Sequence, residues 1–175
     1  MNLHRAPIDT PVGEMIALAT DDALCAFEFG SNGRMSRLGA RLARWFPPHQ
    51  IINTRNRVID QVEDWLVAYF SGGRHDADAL PLDMRGAACE RRVWTALLCI
   101  PAGETISYGE IARQVGSPGA SRAVGMANGA NPIAIIVPCH RVIGANGTLT
   151  GYGGGLERKT WLINHERRWR NALPL

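Results

Sequence analysis

The sequence predicts an α+β protein in two parts: a small N-terminal domain of antiparallel β-sheet with helices, and a mostly helical C-terminal domain built on a helix-turn-helix (winged-helix-like). Three observations predict it. Residues 1–30 alternate short apolar runs with turn signals, as a β-meander does. From residue 88 to residue 131 apolar side chains recur at helical spacing on both sides of a Ser-Pro-Gly turn. Charge also divides the chain: residues 1–84 carry 8 Lys/Arg against 11 Asp/Glu, and residues 85–175 carry 11 against 5. The polar stretch 72–86 has no helical period and contains Pro81, so it reads as a linker with a short strand. The expected domains are therefore 1–86, linker included, and 87–175.

The N-terminal elements follow in order. HRAPID, a TPVG turn, EMIALAT, an Asp-Asp turn and ALCAFEF make three strands. The third puts Ala23, Cys25, Phe27 and Phe29 on one face at period two. MSRLGARLARWF places Leu38, Leu42, Trp45 and Phe46 at helical spacing, and Pro47-Pro48 stops it. RVIDQVEDWLVAYF places Val58, Ile59, Val62, Leu66 and Phe70 on one face, and the Gly pair after Ser71 closes it.

The C-terminal half opens with ACERRVWTALLCI, whose stripe is Val93, Trp94, Leu97 and Leu98. PAGE breaks that helix. SYGEIARQVG and ASRAVGMANGAN then flank the Ser-Pro-Gly turn, with Gly116 near one C-cap and Pro118 near the next N-terminus. IAIIVPCHRVIG reads as strand and tight turn, and NGTLTGYGGG as irregular. ERKTWLINHERRWR is the last helix, with Trp161, Leu162 and His165 inward and a basic outer face.

Bulk composition narrows the function classes. At 46% hydrophobic and 20% charged, 175 residues suit a globular protein with a sizeable core. IAIIV is far shorter than the roughly 20 residues a membrane span needs, and MNLHRAPIDTPVGE lacks the apolar centre of a signal peptide. A soluble cytoplasmic protein is expected. Cys25, Cys89, Cys99 and Cys139 form no CxxC pair, so no zinc site is signalled. His4, Cys25, His49 and His75 lie at irregular spacing and read as structural or exposed, so the expected metal count is none. The basic second half suggests an anionic partner, with nucleic acid first; a solvated basic face is the alternative. Of the 19 basic residues, 18 are Arg, a bias that genomic GC content also produces.

Cys139 and His140 stand side by side between apolar runs. A buried packing cysteine is one reading. A thiol activated by a neighbouring base is the other.

The ordered set RAVG-x-ANG-x-NP, PCHRVIG, GYGGG and a final helix containing His165-Glu166 resembles the O6-alkylguanine-DNA alkyltransferases, from about Val93 to Glu166. The N-terminal half resembles that family's small antiparallel-sheet domain. The resemblance implies a DNA repair protein that binds double-stranded DNA and flips an O6-alkylated guanine out of the stack. It then moves the alkyl group permanently to its own cysteine, once per molecule and without a cofactor. O4-alkylthymine is a second lesion the family admits. The resemblance further implies a monomer in solution, with cooperative binding along DNA an option, and no membrane.

Carried over residue by residue, Cys139 matches the acceptor and His140 its general base, directly or through a water. Glu166 matches the acid that orients the histidine. Asn131 matches the residue that braces the cysteine turn, a place a helix C-cap Asn also suits. Tyr108 matches the tyrosine that crowds the target phosphate and donates to guanine. Arg122 matches the finger that fills the gap left by the flipped base; a plain surface Arg is its alternative. Ala123, Gly125, Ala127 and Gly129 suit close approach to DNA. Tyr152 and Gly153 match the loop that walls the alkyl pocket, and the Val142 backbone matches a partner for the guanine edge. Two departures stand out. Gly153 replaces the Ser of some relatives, which suggests a roomy pocket. Cys89-Glu90 replaces Phe-Gln, and Cys89 is expected as a small core filler. Two competing classes are a lesion-binding protein without repair activity, whose relatives replace the cysteine, and a Cys-His hydrolase with turnover.

Overall fold

The computed structural model describes residues 1–73 and 76–172. The chain falls into two units, one of Met1–Gly86 with Pro132–Ala134 and one of Ala87–Asn131 with the residues from Ile135 onward.

In the first unit, β1 (Asn2–Ile8), β2 (Met15–Ala19) and β3 (Leu24–Phe29) form the expected meander, antiparallel throughout. Gly13, at φ 110°, permits the first turn, where Gly13 N–H donates to Thr10 O at 2.9 Å. The sheet is not purely antiparallel. β4 (Gln50–Ile52), absent from the sequence reading, pairs parallel with β1 and gives the order β3-β2-β1-β4. Three residues shortly after a Pro-Pro pair carry no period to detect; the free edge of β1 selects them.

The period-two expectation for the third strand also gives way, because every residue from Leu24 to Phe29 is buried. Both sheet faces are covered. α1 (Asn32–Trp45) lays Leu38 and Leu42, with Phe46 just beyond its end, against Leu3, Ile16, Leu18 and Ala26. α2 (Arg57–Ser71) packs against β2, whose alternate residues Met15, Ala17 and Ala19 are equally buried. Asn56 caps α2 by accepting from Ile59 N–H at 3.1 Å, and Gly72 ends it in the left-handed region at φ 75°. The buried face of α2 includes Trp65 and Tyr69, stacked at 5.2 Å, while Phe70 is only half-buried.

Glu28 is buried within β3 because Arg34 and the Phe29 N–H both donate to it. His4 bonds Thr54 and Asp21, and His49 bonds Phe46 O, so both have structural partners; His75 lies outside the described residues. The linker holds a 3-10 turn at Ala77–Ala79, and Leu82 bridges Leu24 in parallel. On the same strand, Phe27 N–H donates to Pro132 O and Ala134 N–H to Phe27 O, both at 2.8 Å. These two bonds draw residues 132–134 into the first unit.

The second unit is helical. α3 (Ala88–Leu98) starts where the Glu90 carboxylate accepts from Ala87 N–H at 2.8 Å. Cys89 is exposed, not a core filler: it lies in the first turn of α3, ahead of the buried Val93, Trp94 and Leu97. β5 (Ile106–Ser107) leads directly into α4 (Tyr108–Gln114), capped by a reciprocal Ser107–Glu110 pair. α5 (Ser121–Gly129) completes the helix-turn-helix, and Trp94 Nε1–H donates to Ala127 O at 2.8 Å to hold α3 on α5. β6 (Val142–Ile143) pairs parallel with β5, and α6 (Leu156–Ala172) closes the unit. His165 packs between Trp161 and Trp169, each ring 4.7 Å away. Among the described residues no helix is long and apolar enough to cross a membrane.

Candidate active site

The segment expected as a strand before Cys139 is not one. Pro132 and Pro138 lack the N–H a ladder needs. Between them the chain turns at Ile135, whose φ of 69° is rare for a β-branched residue. A residue held there costs on the order of 1–3 kcal/mol and needs surroundings that enforce it. Here Asn131 Nδ2 donates to Val137 O at 2.8 Å, and Cys139 N–H donates to the same carbonyl at 2.8 Å. Asn131 thus braces the turn, buried at 2% exposure. Asn128, which sequence reasoning did not single out, donates to Cys139 O at 3.2 Å from the buried side of α5.

Cys139–Arg141 form a single 3-10 turn. At three residues per turn, successive side chains lie about 120° apart rather than on opposite faces. Cys139 is 6% exposed and His140 fully buried. His140 Nε2 lies 2.7 Å from Glu166 Oε1. A carboxylate only accepts, so Nε2 carries the proton and Nδ1 is the basic nitrogen. That Nδ1 is buried and makes no hydrogen bond to any described residue, which excludes a direct bond from the Cys139 thiol.

Arg141 and Lys159, both missed in the sequence, complete the site. Arg141 Nε and Nη2 each donate to Glu166 at 2.9 Å, and its Nη1 donates to Ile100 O. Gly103 N–H adds a further bond to Glu166 at 3.0 Å. Burial would raise the Glu166 carboxyl. Its interactions with His140 and Arg141 outweigh burial and hold the group well below the usual carboxylate range. Burial, only partly opposed by Glu166, pushes His140 below its ordinary value, with Arg141 and Lys159 adding to the fall. The imidazole is therefore neutral at pH 7 and available as a base.

Lys159 is the only lysine in the chain and is fully buried. Its Nζ donates to Val142 O at 2.6 Å, Thr150 O at 2.8 Å and Gly151 O at 3.4 Å, using all three protons. Burial brings its pKa down to about 8, while the Cys139 thiolate opposes the fall. The signal available in the sequence was the single Lys among Arg residues.

The remaining expected residues lie as follows. Tyr108 opens α4 and its hydroxyl donates to Thr150 O at 3.2 Å; burial raises its pKa, so the phenol keeps its proton. The Tyr152 ring lies 6.5 Å from the His140 ring, edge to face. Gly153 is exposed in the loop beside it. Val142 N–H bonds Cys139 O, and its carbonyl takes one bond from Lys159. Arg122, Ala123, Met126 and Gly129 share the exposed face of α5, whereas Ala127 is buried.

Residues 88–168 match the 6-O-methylguanine DNA methyltransferase DNA binding domain, and residues 3–84 match the ribonuclease-like domain of the same enzymes. The chain belongs to the 6-O-methylguanine DNA methyltransferase family. It is 49% identical over 162 residues to the methylated-DNA–protein-cysteine methyltransferase of Mycolicibacterium paratuberculosis, covering 92% of this chain and 90% of that one. The crystal structure of the Mycobacterium tuberculosis O6-methylguanine methyltransferase superposes with a TM-score of 0.79 at 45% identity, over 95% of this chain and 93% of that one. A second structure, of the Mycobacterium tuberculosis protein OGT in complex with DNA, gives 0.78 at 44% identity over 95% and 94% of the two chains. As a family member, the chain is a methylated-DNA–protein-cysteine methyltransferase, an enzyme of DNA repair.

Proposed function

We propose that this methyltransferase binds duplex DNA carrying O6-alkylguanine and moves the alkyl group to Cys139, with the unit from Ala87 onward doing both tasks. The observation that carries the assignment is the buried chain Cys139–His140–Glu166, with Nδ1 as the basic nitrogen of a neutral imidazole. The His140 Nδ1 is buried, polar and within the turn that carries the thiol, so a water joining Nδ1 to Sγ satisfies both. Through it His140 takes the thiol proton. The thiolate attacks the alkyl carbon in line, the new S–C bond forms, and the C–O6 bond breaks with its electron pair going to guanine. Tyr108, whose phenol stays protonated, donates a hydrogen bond toward the departing guanine, and the proton held by His140 passes back through water to neutralise the guanine anion. Lys159 holds the loop at 150–151. The thioether does not reverse, so each molecule acts once.

DNA enters this reading through the solved relative bound to DNA and through the basic C-terminal half. Arg122, exposed at the start of α5, is the side chain that fills the vacated stack; its planar guanidinium both stacks and donates. Tyr152 and Gly153 wall the alkyl pocket, and the second lone pair of Val142 O faces the guanine edge. With no side chain at Gly153, the pocket admits groups larger than methyl. Benzyl transfer at less than a hundredth of the methyl rate would reject that last point.

Mass spectrometry after incubation with an oligonucleotide containing O6-methylguanine tests the whole assignment. One methyl is gained on the Cys139 peptide, never more than one per protein. Cys139→Ala abolishes the gain and keeps duplex binding. An intact wild-type protein with no mass gain, or with repeated turnover, overturns the reading.

A further inference from the structure

We propose that the groove between α3 and the end of α4 is a second contact for the DNA backbone, in which Arg91 and Arg92 hold phosphates of the same duplex whose lesion reaches Cys139. The inference rests on the functional reading above. The groove encloses about 730 Å3. Arg91, Arg92, Thr95 and Cys99 line it from α3, and Gln114 and Gly116 from the end of α4. Among the described residues no carboxylate lines it. Arg91 and Arg92 are both exposed, and neither guanidinium has a hydrogen bond or ion pair among the described residues. The groove therefore presents two unneutralised cations, a hydroxyl and an amide around a mostly apolar floor that includes Ala88, Ala96 and Val115. That set matches a phosphodiester strand, whose charges repeat every ~3.4 Å of duplex axis.

Position argues for the same duplex. Gly116 walls the groove and also opens the turn into α5. Arg122 follows six residues later. Six residues span at most about 21 Å even when fully extended. One helical turn of B-DNA rises about 34 Å, so a duplex engaged by Arg122 passes within reach of the groove. Helix-turn-helix proteins set their first helix across the backbone while the second enters a groove of the DNA. Here the end of the first helix, α4, forms one wall. Arg91 and Arg92 thus extend the footprint from the lesion to its flank, where they add affinity without touching the chemistry.

Salt dependence of binding separates this role from the catalytic one. Fluorescence anisotropy with an undamaged duplex of about 20 base pairs, roughly two helical turns, is measured from about 50 to 200 mM salt for the wild type, R91A/R92A and R167A/R168A. The last pair removes the same charge from exposed positions on α6 that do not line the groove. Each phosphate contact contributes about 0.9 to the slope of log affinity against log salt. Loss of two contacts makes the R91A/R92A affinity fall about tenfold less than the wild type's over that range. Thermal melting by circular dichroism at the wild-type Tm reports an intact fold. An unchanged slope in R91A/R92A overturns the proposal, and so does an equal change in R167A/R168A. A wild-type protein that transfers alkyl groups but binds no duplex overturns this contact while leaving Cys139 as acceptor; one that does neither overturns the functional reading itself.

Discussion

Replacing Glu166 by Gln leaves the side chain's size almost unchanged and removes its charge. The carboxylate accepts from His140 Nε2 at 2.7 Å, from Arg141 Nε and Nη2 at 2.9 Å each, and from Gly103 N–H at 3.0 Å. An amide offers one oxygen in place of two and aims an NH2 group at donors. Arg141, 8% exposed, is then left in the interior without its counter-charge. Breaking a buried pair in this way costs about 3–5 kcal/mol. For a domain of this size each kcal/mol lowers Tm by roughly 2–4 °C, so E166Q melts about 10 °C or more below the wild type. Activity falls too, because His140 loses both its orienting acceptor and its fixed tautomer. General-base catalysis contributes typically about 10²–10⁴-fold, and most of that disappears. The assay pairs thermal melting by circular dichroism with single-turnover methyl transfer from an O6-methylguanine duplex at a temperature where both proteins are folded. The double variant Glu166→Leu with Arg141→Met removes both charges together. It should be more stable than E166Q, since no buried charge is orphaned. A Tm shift under about 2 °C for E166Q, or a double variant less stable than E166Q, would refute the argument that Glu166 and Arg141 balance one another.

Three further outcomes follow from the same geometry. Gly103→Ala puts a Cβ 3.2 Å from the Glu166 backbone oxygen at a φ of 79°; urea unfolding should show a loss of about 1–2 kcal/mol, and wild-type stability would refute the strain. Lys159→Met strands the Val142, Thr150 and Gly151 carbonyls and removes a charge near Cys139; transfer slows, and a pH–rate profile should show the wild type falling as pH rises through about 8 while the variant does not. His140 and Glu166 both have pKa values below those of the unfolded chain, whose ordinary values are 6.5 and 4.5. The unfolded state therefore binds more protons as pH falls, so the stability these groups confer is present above about pH 6.5 and is lost progressively on acidification, first through His140 and then through Glu166. Melting across about pH 4–8 measures it, and a Tm flat over that range contradicts the sign.

Much of the site was legible because its members are close in sequence or have recognisable spacing. Cys139 and His140 are neighbours, Asn131 precedes a proline, and the helix-turn-helix declares itself through two helical runs around a Ser-Pro-Gly turn. Arg141 was overlooked although it is the next residue after His140. A charged residue in a motif reads as exposed until its partner is known, and that partner is 25 residues away. Lys159 sits one turn into a helix with a basic face, so its burial could not be distinguished by period from the solvated arginines around it. The strand expected at IAIIV failed for a related reason. Apolar content marked the segment as buried, but buried does not mean extended, and two prolines with an Asn brace turned it instead.

Local chemistry along the chain was enough to indicate the two-part α+β organisation, the faces of the long helices and the adjacent Cys139 and His140 as candidates for the chemistry. These depend on interactions within a few residues, such as capping, steric limits on φ and the period of apolar side chains. Packing in three dimensions was needed to pair β4 with β1 in parallel, to cover both faces of β3 and to join residues 132–134 to Phe27. It was needed again to make Glu166 accept from His140, Arg141 and Gly103 together, and to gather three carbonyls on one ammonium. Each of these joins groups far apart along the chain. Their pairing is enforced by the cost of burying an unsatisfied charge or backbone group, a cost that exists only once packing has excluded water.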